Sequence, residues 1–177
     1  MDKSFSEKLF RNRIITIEGE IDAGVASNVI SSLLVLSESS STAPIRIYIA
    51  SVSHYYTDAM AIVDVIESLS NPIECYVIGA VGGYALAILA SCTKGKRFML
   101  KNSEIQFIQP LVVLKPRVQQ TETLIEVEEA REERAALEAV LSEHTGKPLE
   151  EIQKAIDNNE ILTGENAVAF GIVDKVI

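Results

Sequence analysis

Few side chains in this sequence can do chemistry, and their spacing limits what that chemistry could be. Val77-Ile-Gly-Ala-Val-Gly-Gly-Tyr-Ala-Leu86 reads as a buried strand, a glycine turn and the start of a helix. In many hydrolases a nucleophilic serine stands at such a turn. Here the turn is Gly82-Gly83-Tyr84, without a serine. Nucleophilic hydrolysis needs a nucleophile, a base within hydrogen-bond reach and a group that orients the base. Histidine is the common base, and the chain has two. His144, in Glu-His-Thr-Gly, stands at a predicted helix end, where a cation suits the helix dipole and the role is structural. His54, in Ala50-Ser-Val-Ser-His-Tyr-Tyr, follows a predicted strand, and strand ends are where α/β proteins gather their sites. Ser51 or Ser53 could partner it. Asp58 and Asp64 follow the same strand and read either as paired carboxylates for acid/base work or as a solvated helix face. Gly82-Gly83 could hold an anion on main-chain N–H groups. Gly79-x-x-Gly82-Gly83 is not a dinucleotide fingerprint, however, and no acidic ribose partner is evident. Cys75 and Cys92 lie in apolar runs and read as small buried hydrophobes of a reducing compartment, and with the two histidines they lack zinc spacing. No metal or cofactor is expected.

The elements that must position these residues alternate along the chain. A length of 177 residues suggests a single domain, 1–177, and 47% hydrophobic with 23% charged residues is globular composition. A net charge of −9 argues against nucleic acid, whose phosphates demand clustered Lys and Arg. No apolar run approaches the roughly 20 residues of a membrane span. Residues 1–13 read as neither a secretory signal nor an obvious transit peptide, so a cytoplasmic location is expected, or the plastid stroma if the protein is organellar. Strands are predicted over 13–17, 45–49 and 73–79, with two short strands over 96–100 and 104–108 paired with each other and a last one over 172–177. Helices are predicted over about 22–36 with Asp22 as N-cap, 57–69, 84–92, 149–157 and 163–170. Residues 119–144 form a helix of about 39 Å at the standard rise, ended by Gly146 and Pro148. That length fits either a projecting helix that packs on a partner or a long surface helix. The order implies an α/β domain with right-handed crossovers and mostly parallel strands.

From about Phe5 to Ile177 the chain resembles ClpP, the proteolytic subunit of the ATP-dependent Clp protease. The resemblance is carried by Glu7-Lys-Leu-Phe-Arg-Asn-Arg-Ile-Ile with Gly19 and Ile21-Asp22, which looks like the family's first strand. Thr93-Lys-Gly-Lys-Arg-Phe-Met-Leu-Lys-Asn-Ser103, Gln109-Pro110, Glu143-His-Thr-Gly-Lys-Pro148 and Phe170-Gly-Ile-Val-Asp-Lys-Val-Ile177 complete it. It implies the ClpP/crotonase fold, a repeated β-β-α superhelix with a protruding handle over about 111–144. It also implies a serine peptidase with a Ser, His, Asp triad. The nucleophile falls on Gly83, the base on Ile108 and the orienting carboxylate on Asn159, so all three have lost the required chemistry. The oxyanion donors fall on the main-chain N–H groups of His54 and Tyr84, which could persist. The glycine-rich strand that pairs with substrate reads Leu111-Val-Val-Leu-Lys-Pro116-Arg, where Pro116 lacks a donor. The aspartate-arginine pair that links rings falls on Asp157 and Asn158, so only its acidic half remains. The sequence starts close to Phe5, without most of the family's N-terminal axial loop.

The resemblance thus implies a catalytically degenerate, ClpR-type member: a structural subunit of a seven-membered ring, alone or with active ClpP, on which an AAA+ unfoldase docks. Two rivals stay open. One is an enzyme of different chemistry built on His54 with Ser51, Ser53 or Asp58. The other is a free-standing binding or regulatory homo-oligomer.

Overall fold

The computed structural model describes residues 3–109 and 120–177, with side chains over 5–109 and 123–177. In chain order these form α1 (Lys3–Arg11), β1 (Ile14–Glu18), α2 (Ala23–Ser39), β2 (Ile45–Ala50), β3 (Val52–Ser53), α3 (Tyr56–Ser68), β4 (Ile73–Val77), β5 (Ala80–Gly83) and α4 (Ala85–Ser91). Then follow β6 (Arg97–Met99), β7 (Glu104–Gln106), α5 (Gln120–Thr145), α6 (Leu149–Asp157), β8 (Ile161–Thr163), α7 (Gly164–Phe170) and β9 (Lys175–Val176).

Two sheets share these strands. One has the order β1-β2-β4-β6-β9, parallel throughout; the other has the order β3-β5-β7-β8, parallel except for the antiparallel β7–β8 pair. The units β2-β3-α3, β4-β5-α4 and β6-β7-α5 each give one strand to each sheet before a helix. This is the β-β-α repeat the resemblance implies. The neighbouring 96–100 and 104–108 runs therefore belong to different sheets and do not pair with each other, and Lys101-Asn102 carries the chain from one sheet to the other.

The large sheet follows from period-two patterning. Ile45, Ile47 and Ile49 are wholly buried, and Arg46 and Tyr48 point the other way. On that outer face parallel register aligns Tyr48 with Tyr76 and Tyr76 with Phe98, whose rings lie 4.7 and 5.0 Å apart. On the inner face α2 buries Val29, Leu33 and Leu36 at helical spacing, with Asp22 accepting the Val25 N–H at 2.9 Å as N-cap. Helix α4 is buried from Ala85 to Ala90, as a helix apolar all round must be. Cys75 and Cys92 are free and buried, as their surroundings suggest. Residues 3–11 are helical, an element absent from the pattern reading, and Glu7 to Arg11, matched by resemblance to the family's first strand, belong to this helix.

One buried ion pair closes the large sheet. Arg97, 2% exposed, gives its Nε and an NH2 to the Asp174 carboxylate at 3.0 and 2.6 Å, and its main-chain N–H donates to the same group at 2.9 Å. Burial disfavours the Asp174 charge, but these Arg97 bonds outweigh it and hold the carboxyl below its ordinary value. The contribution is therefore present above about pH 4 and is lost as pH falls through the lowered native value. Asp174→Asn, which leaves a buried guanidinium without its anion, is expected to cost about 3 kcal/mol at neutral pH. Denaturant titrations at pH 7 and in the acid range check this: the variant should be weaker at pH 7 and lose less than the wild type on acidification.

Candidate functional site

The cleft forms where the small sheet meets the start of α4. Beyond β2 the chain bends at Ser51, whose hydroxyl donates to the Gly19 carbonyl at 2.6 Å. It then runs beside β5, with Val52 opposite Gly82 and Ser53 opposite Gly83. The Gly82 N–H donates to the Ser51 carbonyl and the Tyr84 N–H to the Ser53 carbonyl, each at 2.9 Å. Gly83 has φ +58°, and a Cβ built there would stand 2.2 Å from the Ser53 carbonyl oxygen. No side chain fits that space unless β3 moves. At Gly82 a Cβ would meet the Gln106 carbonyl at 2.9 Å and Ile108 Cδ1 at 3.2 Å. The two glycines are thus held by close backbone neighbours on both sides.

The structure brings most of the sequence-selected residues to this place. Ser53, His54, Gly83, Tyr84 and Ile108 line a crevice that, among the described residues, has no room for a water molecule. Ile108 follows β7 and is half-buried. Asn159, exposed and left-handed at φ +47°, accepts the Gln109 N–H on its Oδ1 at 3.4 Å, one residue from Ile108. The Gly83, Ile108 and Asn159 positions therefore converge, and they bring together a glycine, an apolar side chain and an amide.

The two main-chain N–H groups expected as donors are both engaged within the chain. Tyr84 N–H is bonded to Ser53. His54 N–H donates to Glu20 Oε2 at 3.2 Å, while the His54 ring Nδ1 lies 3.0 Å from Glu20 Oε1. The His54 hydrogen bond is the main cause that draws the Glu20 carboxyl below its ordinary value. A carboxylate thus stands where an anion-binding donor was expected.

The hydroxyls near His54 are also committed. Ser53 is fully buried, and its Oγ accepts the N–H groups of Ile21 and Tyr55 at 3.3 and 3.4 Å. Ser51, bonded to Gly19, is 1% exposed. The imidazole's partner is Glu20, not a serine, so the geometry gives no support to a serine-histidine pair here. His144 ends α5 and pairs with Glu67 at 3.1 Å, a structural contact. The Tyr84 phenol, buried against Tyr56 at 5.4 Å, donates to Glu133 Oε2 of α5 at 3.2 Å. Burial first, then the Glu133 charge, pushes that phenol far above its ordinary value, so it stays protonated.

Sequence spacing singled out neither Glu20 nor Glu133. Each meets its partner across 34 and 49 residues, and no local pattern marks either. At the other end of α6, Asp157 accepts from Arg134 at 2.7 Å within the same chain, and Asn158 caps the helix C-terminus. The Leu111 to Arg117 run lies outside the described residues.

A β-β-α repeat that feeds two sheets, with a glycine elbow at a helix start, defines the class of a ClpP-like α/β protein. The Clp protease family model matches residues 2–177, and the chain belongs to that family of serine peptidases.

Gly83→Ala tests the close approach. A side chain at positive φ costs about 1–3 kcal/mol by itself. Gly19→Ala, at φ +73° with nothing within 4 Å, has only that cost. Gly83→Ala is expected to lower the melting temperature several degrees further than Gly19→Ala. Equal losses in thermal melts would mean that the Ser53 contact is absent.

Proposed function

We propose that this chain is a non-catalytic, ClpR-type subunit of an ATP-dependent Clp protease ring. The observation that carries the reading is the state of the cleft. Gly83 offers no nucleophile, Ile108 no proton acceptor and Asn159 no charge to stabilise an imidazolium. The N–H groups of His54 and Tyr84, which would receive the oxyanion, are already bonded. Removing one triad member from a serine protease already abolishes most of the rate. Here the side chains and the donors fail together, so hydrolysis of a peptide has no group to start it or to stabilise its intermediate.

The role is then architectural. The chain acts as one domain, 1–177, in a heptameric ring, by itself or beside active ClpP subunits, and gives an AAA+ unfoldase its docking surface. Clp protease family membership supports rings and AAA+ partners in general terms. Residues 111–144 serve as the handle, of which α5 supplies the portion from Gln120 onwards. Asp157 and Asn158 take the positions that link rings in the family. The Asp157 bond to Arg134 uses that carboxylate within the chain, so ring-to-ring attachment here is weaker or made elsewhere.

The test is made on the assembly purified from its own cells through a tag on this chain. Native mass spectrometry should give a ring containing this subunit. A fluorophosphonate probe added to that assembly should label any active partner and leave this chain unlabelled. Stoichiometric labelling of this chain, or a monomer that joins no ring, overturns the reading.

A further inference from the structure

Glu20 lies in the four-residue connection between β1 and α2, which is held at both ends. Gly19 donates its N–H to the Ala50 carbonyl at 3.0 Å, and Asp22 caps α2. Against this fixed loop lies the segment 51–55, fastened by a ladder of contacts. Ser51 Oγ bonds the Gly19 carbonyl, Ile21 N–H bonds Ser53 Oγ, and Glu20 takes both the N–H and the ring of His54. The same segment presents the Ser53 carbonyl to Tyr84 N–H and fills the space above Gly83. The Glu20 and His54 side chains remain 49% and 34% exposed, so the pair stands at the mouth of the cleft and not in the core.

We propose that Glu20 is a clamp at the edge of the cleft: its carboxylate takes the His54 donor and ring together and keeps segment 51–55 pressed onto Gly83. The inference rests on these contacts and not on the family reading, so a catalytic or non-catalytic result for the chain leaves it standing. A carboxylate accepting two bonds, one from a main-chain N–H, is a strong acceptor, and bonds to charged groups exceed neutral ones. A peptide carbonyl seeking the same N–H would have to displace an anion that is held on a short, anchored loop. Glu20 is thus a positioning residue whose effect is read as local closure.

Hydrogen exchange with fragment mass spectrometry on the full chain tests this, because exchange reports local opening separately from global unfolding. In Glu20→Ala, amides in the fragment 50–57 should exchange about tenfold faster than in the wild type or more, the loss of a charge-assisted bond being of that order. The β4 fragment 73–78 should be unchanged. Glu20→Gln, which keeps the size and one acceptor, should fall between. Unchanged exchange at 50–57 in Glu20→Ala overturns the proposal. So does a rise shared equally by 73–78 in both variants, which would make Glu20 a contributor to general stability only.

Discussion

A main-chain carbonyl and an α-carbon meet at Ser53 and Gly83, and the cleft is arranged around that contact. It sets the β3–β5 register, which engages Tyr84 N–H with Ser53 and leaves the left-handed residue 83 with no volume for a Cβ. Tyr84, turned inward by the same elbow, reaches Glu133 and so joins the start of α4 to the long helix α5. Gly82 repeats the constraint one residue earlier against Gln106 and Ile108. A glycine pair is therefore demanded by packing.

Charge in the cleft follows the same logic. Acyl-transfer sites aim uncharged N–H dipoles at the oxygen that becomes negative. Here the His54 N–H points at Glu20 and is taken by a carboxylate. The buried hydroxyls of Ser51 and Ser53 bond the neighbouring loop and the turn that follows β3. Residues 83, 108 and 159 are glycine, isoleucine and asparagine, and the main-chain donors of His54 and Tyr84 beside them are bonded within the chain. A protein retained for its shape can satisfy its own donors, whereas a catalyst must leave them unsatisfied for substrate.

Much of the fold was legible in the sequence. Ile45-Arg-Ile-Tyr-Ile alternates, so β2 and its buried face follow from pattern. Asp22, Gly146 and Pro148 mark helix ends that the structure keeps. The second sheet was hidden, because β3 has two residues and β5 is half glycine, too short and too plain for periodicity. β8 is as short as β7 and owes its place to Ile105 opposite Leu162. In the cleft, the resemblance located Gly83, Ile108 and Asn159, and His54 stood out by its place after a strand. Glu20 did not, since an acidic residue in a turn carries no local mark of the histidine it will meet 34 positions later.

The most direct measurement asks whether a serine, a histidine and an aspartate placed at residues 83, 108 and 159 could act in this cleft. A variant carrying Gly83→Ser, Ile108→His and Asn159→Asp together, with Glu20 in place and helical circular dichroism retained, is treated with a fluorophosphonate probe. With the donors engaged and residue 83 crowded by Ser53, no label should appear at that position. Stoichiometric labelling at residue 83 would contradict a closed cleft and show that the backbone had kept a working elbow.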